Sequence, residues 1–120
     1  MKLEELRIYS KADELSDEIW KLVEDWNYFQ KDTIGKQLVR SADSISENIA
    51  EGYGRYFYKE NRNFCYYSRG SLMETKNWLG KSVRRKLISK EVHESLISRI
   101  EDLHVSLNAY IASIGKNQIK

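Results

Sequence analysis

The sequence has no proline and a single cysteine, Cys65, in 120 residues. All-β folds and long ordered loops normally use proline at turn positions, so its absence points to helices joined by short turns. One cysteine excludes an internal disulfide and any zinc site built from cysteines alone. No apolar run approaches the ~20 residues needed to cross a bilayer. Lys2-Leu3-Glu4-Glu5 puts acids where a secretory signal carries its apolar stretch, and a cytoplasmic protein is expected. Enzyme signatures are also missing: there is no glycine-rich phosphate loop ending in Gly-Lys-Ser/Thr, no HExxH and no GxSxG. No catalytic residue, cofactor or metal ligand is assigned.

What is present is the material of one globular domain, with 41% hydrophobic and 32% charged residues. Four segments carry apolar residues at helical spacing, and none alternates as a strand does. The first is expected to begin near Ser10, with Ile8, Ala12, Leu15, Ile19, Leu22, Val23 and Trp26 on one stripe. The second is expected to open at Asp32-Thr33 and to bury Ile34, Leu38, Ala42, Ile45 and Ile49, with Gly52 as a left-handed C-terminal cap. The third runs from about Lys59 to Arg85, with Phe64, Tyr67, Ser71, Thr75, Trp78 and Ser82 on one face, flanked by Leu72 and Leu79. Gly70-Ser71 sits mid-helix, where a close helix approach would justify the ~1 kcal/mol that glycine costs. The fourth is capped by Ser89 and carries Val92, Leu96, Ile100, Leu103, Leu107, Tyr110, Ile111 and Ile114, with Gly115 able to stop it. The pattern predicts an all-α, single-domain, up-down-up-down four-helix bundle over residues 1–120. The connection from Glu51 to Tyr58 holds four aromatics, which must pack on the bundle's end or on another molecule.

Charge is unevenly spread. Residues 1–30 carry four bases against eight acids, whereas residues 55–90 carry ten bases against Glu60 and Glu74. Arg62, Arg69 and Lys76 recur every seven residues, Arg84 extends the row, and Arg85 and Lys86 crowd its end. Such a row can track a phosphate backbone. It can equally pair with Asp13, Glu14, Asp17 and Glu18 of the acidic first helix. On the second segment Gln37, Arg40, Ser44, Asn48 and Glu51 form a polar stripe beside the apolar one. It reads either as a hydrogen-bonded network between helices or subunits, or as a ligand-binding row. Cys65 among Phe64, Tyr66 and Tyr67 reads as a buried, inert thiol. Glu101-x-x-His104 matches half of a carboxylate-bridged di-metal pattern, but the second copy that pattern needs is absent.

The run from Lys36 to Arg55, KQLVRSADSISENIAEGYGR, closely resembles the signature of the bacterial four-helix-bundle proteins encoded in intervening sequences of 23S ribosomal RNA genes. Gly70-Ser71-Leu72-Met73-Glu74 is similar to the family's GSLxE, and Leu6 to Ala12 to its LxVxxxA. Arg40, Ser44, Asn48, Glu51 and Gly52 fall on its most characteristic positions, while Ser41 stands where a small apolar residue is common. The resemblance implies a ring-shaped homopentamer with no known enzymatic activity. A structurally related group, the accessory proteins of diversity-generating retroelements, is pentameric and basic and binds nucleic acid and a reverse transcriptase. No motif places this chain in that group specifically. The resulting expectation is a non-enzymatic oligomer that binds RNA or DNA through Arg62, Arg69, Lys76, Arg84, Arg85 and Lys86. Its partners would be further copies of itself, RNA or DNA, and a nucleic-acid-processing protein. The alternative is a protein-binding scaffold with no nucleic-acid role.

Overall fold

The computed structural model describes residues 2–116. Four long helices lie side by side in a rod 52 Å long and 23 × 21 Å across, and no strand occurs among the described residues. After a 3-10 turn at Leu3–Glu5 come α1 (Arg7–Glu24), α2, α3 (Tyr58–Arg84) and α4 (Lys90–Ser113). The helix α2 is composite: a first turn at Tyr28–Gln30, a π-helical turn at Lys31–Gly35, and the main body Lys36–Tyr53. Its neighbours in the bundle are α1 and α3, and α4 closes the square between α3 and α1. The core is a single cluster that includes Leu15, Ile19, Leu38, Ile45, Ile49, Leu72, Leu79, Ile100, Leu103 and Leu107.

Two helix starts differ from expectation. The first helix begins a turn early, at Arg7, and Ser10 donates to the Glu4 carbonyl at 3.2 Å instead of capping. The second begins at Tyr28 and not at Asp32-Thr33. Asn27 Oδ1 accepts from the Gln30 N–H at 2.9 Å and Gln30 Oε1 accepts from the Asn27 N–H at 3.2 Å, a reciprocal box that nucleates the turn. The π turn then absorbs one extra residue, so that Ile34 and Gly35 are both buried. A Cβ at Gly35 would stand 2.8 Å from Val23 Cγ1, which keeps α1 and α2 close. Ser89 caps α4 as expected, its hydroxyl accepting from the Val92 N–H at 3.1 Å. Gly115, at φ 86°, ends the described chain's last turn against the Tyr58 ring.

The packing of α2 on α3 is the most extensive in the molecule. Small hydroxyl residues carry it. Ser68 donates to the Ile45 carbonyl at 2.8 Å, and Thr75 Oγ1 lies 2.9 Å from Ser41 Oγ. The buried face of α3 is Cys65, Ser68, Leu72, Thr75, Leu79 and Ser82, turned away from the expected one: Tyr67 is exposed and Trp78 only half-buried. Gly52 is not a left-handed cap. It lies inside the last turn of α2, where a Cβ would meet Asn61 Oδ1 at 2.7 Å and the Asn61 carbonyl at 2.9 Å. Gly70, by contrast, faces open space and serves no close approach among the described residues.

These two glycines predict opposite outcomes. Gly52→Ala forces backbone apart and should destabilise by roughly 1–3 kcal/mol. Gly70→Ala should stabilise by about 0.5–1 kcal/mol. Urea denaturation of both variants checks the pair. Cys65 supplies a second prediction, because burial pushes its thiol up from 9.0 to about 11. Below pH 9 the folded and unfolded chains both hold the proton. Between about 9 and 11 only the unfolded chain loses it, so this contribution to stability is lost as pH rises. Cys65→Ser should flatten that part of the stability–pH curve, and an aromatic disulfide reagent should label Cys65 only in denaturant.

Candidate functional site

The basic row of α3 does not act as one unit. Because α1 and α3 sit on a diagonal, the acids of α1 cannot reach the row. They turn to α4 and α2: Glu18 pairs with Arg99, and Asp13 Oδ1 accepts from the Ser46 hydroxyl at 3.4 Å. The reverse pairing, Lys11 with Asp102 at 3.0 Å, also joins α1 to α4. The expected pairing of α3 with α1 is therefore corrected. Arg62, Arg69 and Lys76 lean on α4 instead. Arg62 donates to the Ile114 carbonyl at 3.4 Å, Arg69 to Asn108 Oδ1 at 2.8 Å, and Lys76 to Glu101 at 3.4 Å. Arg69 also stacks over the Tyr66 ring, 5.2 Å from its centroid. Glu101 thus faces Lys76, and no group of three or more His, Cys, Asp or Glu residues able to hold a metal occurs among the described residues.

The end of α3 is different. Arg84, Arg85 and Lys86 are exposed, and none has an acidic partner among the described residues. Lys81 beside them lies 5.9 Å from the Trp78 ring centroid, and exposed Lys90 opens α4 across the turn. The helix ends by a two-bond motif, Leu87 N–H to the Ser82 carbonyl at 2.9 Å and Lys86 N–H to the Val83 carbonyl at 3.2 Å. The residue at its pivot must be left-handed, a place glycine usually takes. Here it is Lys86, at φ 64°. A β-carbon in that conformation costs roughly 1 kcal/mol, and a strained non-glycine residue marks a candidate functional position.

The stripe on α2 is a ridge between two surface grooves. On one side a groove of about 520 Å³ runs between α1 and α2, with Trp20, Val23, Gly35 and Val39 as its apolar lining and Arg40, Asp43, Ser44 and Glu47 along it. On the other side Ser44, Asn48, Glu51 and Arg55 border a hollow with Phe64 of α3. Among the described residues the stripe forms no hydrogen-bonded network between helices. Ser44 donates to the Arg40 carbonyl at 2.9 Å and Asn48 to the Ser44 carbonyl at 2.8 Å, both along their own helix. Glu51 pairs with Arg55 at 2.9 Å, whose guanidinium lies over Phe64 at 4.8 Å. The Arg40 guanidinium is exposed with no partner among the described residues. In the α2–α3 turn, Tyr56 and Phe57 are exposed and stack edge-on at 4.9 Å, while Tyr58 packs on Gly115.

Sequence reasoning missed two features. The Trp20 groove depends on the α1–α2 pairing and leaves no local motif. Tyr28 and Phe29, 82% and 74% exposed, fall between the first stripe, which ends at Trp26, and the second start expected at Asp32-Thr33. The Asn27-x-x-Gln30 spacing was the signal that they open the second.

No described helix is long and apolar enough to cross a membrane. No curated protein matches the chain. A crystal structure from Bacteroides thetaiotaomicron, a protein of unknown function from the S23 ribosomal protein family, superposes with a TM-score of 0.78. The two are 24% identical over 87% of this chain and 97% of that one, a likeness of fold. The model of the 23S rRNA-intervening sequence protein family matches residues 4–109. The chain, an all-α protein whose signature run forms the outer ridge of α2, belongs to the 23S rRNA-intervening sequence protein family.

Proposed function

We propose that this protein is a non-enzymatic oligomer, a homopentameric ring of four-helix bundles, that holds RNA or DNA on the basic end of α3. The observation that carries the binding half is the cluster Arg84, Arg85 and Lys86, exposed and without acidic partners among the described residues. Arg62, Arg69 and Lys76 play a smaller part, since their charges are already engaged by α4. Exposed cations release counterions when they meet phosphate, so binding is salt-dependent and indifferent to base sequence. A ring repeats the cluster in every protomer and turns weak single contacts into a multivalent one.

The assembly half rests on the α2 ridge. Polar signature residues that find only their own helix, flanked by an apolar groove at Trp20, are suited to a facing subunit. The number five comes from the family resemblance alone. A second reading, a protein-binding scaffold, is favoured by the exposed Trp20 groove and by Tyr66, Tyr67 and Met73 on the outside of α3. A mobility shift with unrelated RNA and DNA at low salt separates the two: no shift at high micromolar protein selects the scaffold.

Two predictions follow from these residues. Lys86→Gly should raise protomer stability by about 1 kcal/mol, by relieving the left-handed strain, and should weaken nucleic-acid binding. It should also flatten the salt slope by about one unit if Lys86 contacts one phosphate. Denaturation and mobility shifts across a salt series read both effects. Arg40→Ala removes no contact inside the protomer, so its melting should change by less than about 0.5 kcal/mol, while its mass by light scattering should fall toward the 14.2 kDa of a single chain.

A further inference from the structure

Resting on the proposed nucleic-acid reading, we infer that the ligand is single-stranded, and that Tyr28 and Phe29 at the start of α2 stack on its unpaired bases beside the Arg84–Lys86 cluster. The antiparallel register of α2 on α3 brings these groups to one end of the rod. Gly52 lies against Asn61, Ile45 against Ser68 and Ser41 against Thr75. Because α2 starts where α3 ends, the turn carrying Tyr28, Phe29 and Lys31 and the turn carrying Arg84, Arg85 and Lys86 share that end. Both rings are far more exposed than a monomer's folding requires, 82% for Tyr28 and 74% for Phe29. They are held out by structure: the Asn27–Gln30 capping box fixes the turn they sit on.

The electrostatics favour the same end. Lys31 is exposed and has no acidic partner among the described residues, and it adds its charge to Arg84, Arg85 and Lys86. Of the acids of this end, Asp25 and Glu91 line the hollow between α1 and α4, Asp32 is taken by Lys36 at 3.8 Å, and Glu24, which shares the α1–α2 groove with Lys31, accepts from the Trp20 indole N–H at 3.3 Å. Cations beside projecting aromatic rings suit a strand whose bases are free to turn outward. In a duplex those bases are stacked on each other and offer no face to a ring. A stacking platform is indifferent to the 2′-hydroxyl, so RNA and DNA single strands share the chemistry.

The test uses the full-length chain with oligo(U), oligo(dT), a duplex of the same length, and inorganic polyphosphate as an anion without bases. Oligo(U) and oligo(dT) should bind more tightly than the duplex. Phe29→Ala and Tyr28→Ala should each weaken both single strands roughly 5- to 100-fold, with the salt slope and polyphosphate binding unchanged. Phe29→Tyr should restore binding. The inference is overturned if the alanine variants bind oligo(U) like the parent, if the duplex binds as tightly, or if polyphosphate binding falls in parallel. In those cases salt-dependent binding still stands and only the stacking role is lost. It is also overturned if the alanine variants lose mass by light scattering, since the rings are then assembly contacts. Failure of every polyanion to bind removes the nucleic-acid reading as well.

Discussion

The close approach of α2 and α3 is the constraint on which the remaining geometry depends. Two long helices can come this near only where the side chains between them are small. Gly52, Ser41, Ser68 and Thr75 meet that condition, with the contacts on α3 spaced two turns apart. Their hydroxyls are buried, and each finds a carbonyl or another hydroxyl, so the seam avoids the cost of orphaned polar groups. Leu38, Ile49, Leu72 and Leu79 fill the core beside the seam, and hydrogen bonds and the Gly52–Asn61 contact along it help to hold the register. That register determines which residues share an end of the rod, and so brings the start of α2 level with the end of α3.

Bundle topology then decides the electrostatics. An acidic α1 and a basic α3 would cancel if they were neighbours. Placed on a diagonal, each turns to α4, which carries both signs: Arg99 answers Glu18, and Glu101 answers Lys76. The compensation reaches along the shared length of the helices and stops at their ends. Arg84, Arg85 and Lys86 lie beyond the last such pair, where α4 has not yet begun its helix. Surface pairs of this kind contribute little to stability; their main effect is on which cations remain open to a polyanion.

Strain at Lys86 bears on the same point. The motif that ends α3 needs one left-handed residue, and glycine would occupy it without penalty. A lysine there gives up stability and gains a cation at the tip of the rod.

The fold was largely legible in the chain. Helical spacing of Ile8 to Trp26, Leu38 to Ile49 and Leu96 to Ile114 is a local property of an amphipathic helix, and the observed cores follow it. The Ser89 cap and Gly115 stop were legible for the same reason. So was the family, whose signature is a contiguous run. The α3 face was harder to read. Its core positions are serines and threonine while its aromatics point outward, so apolarity alone misplaced the buried stripe. Sequence determined that four helices form, roughly where, and which carry excess charge, because those properties depend on neighbours three or four residues away. Only the tertiary structure decided that Gly52 is a contact and not a cap, that Arg69 and Lys76 face α4, and that Lys86 and Phe29 share an end. Each depends on which helices become neighbours and in what register, and that is set by packing between residues far apart in the chain.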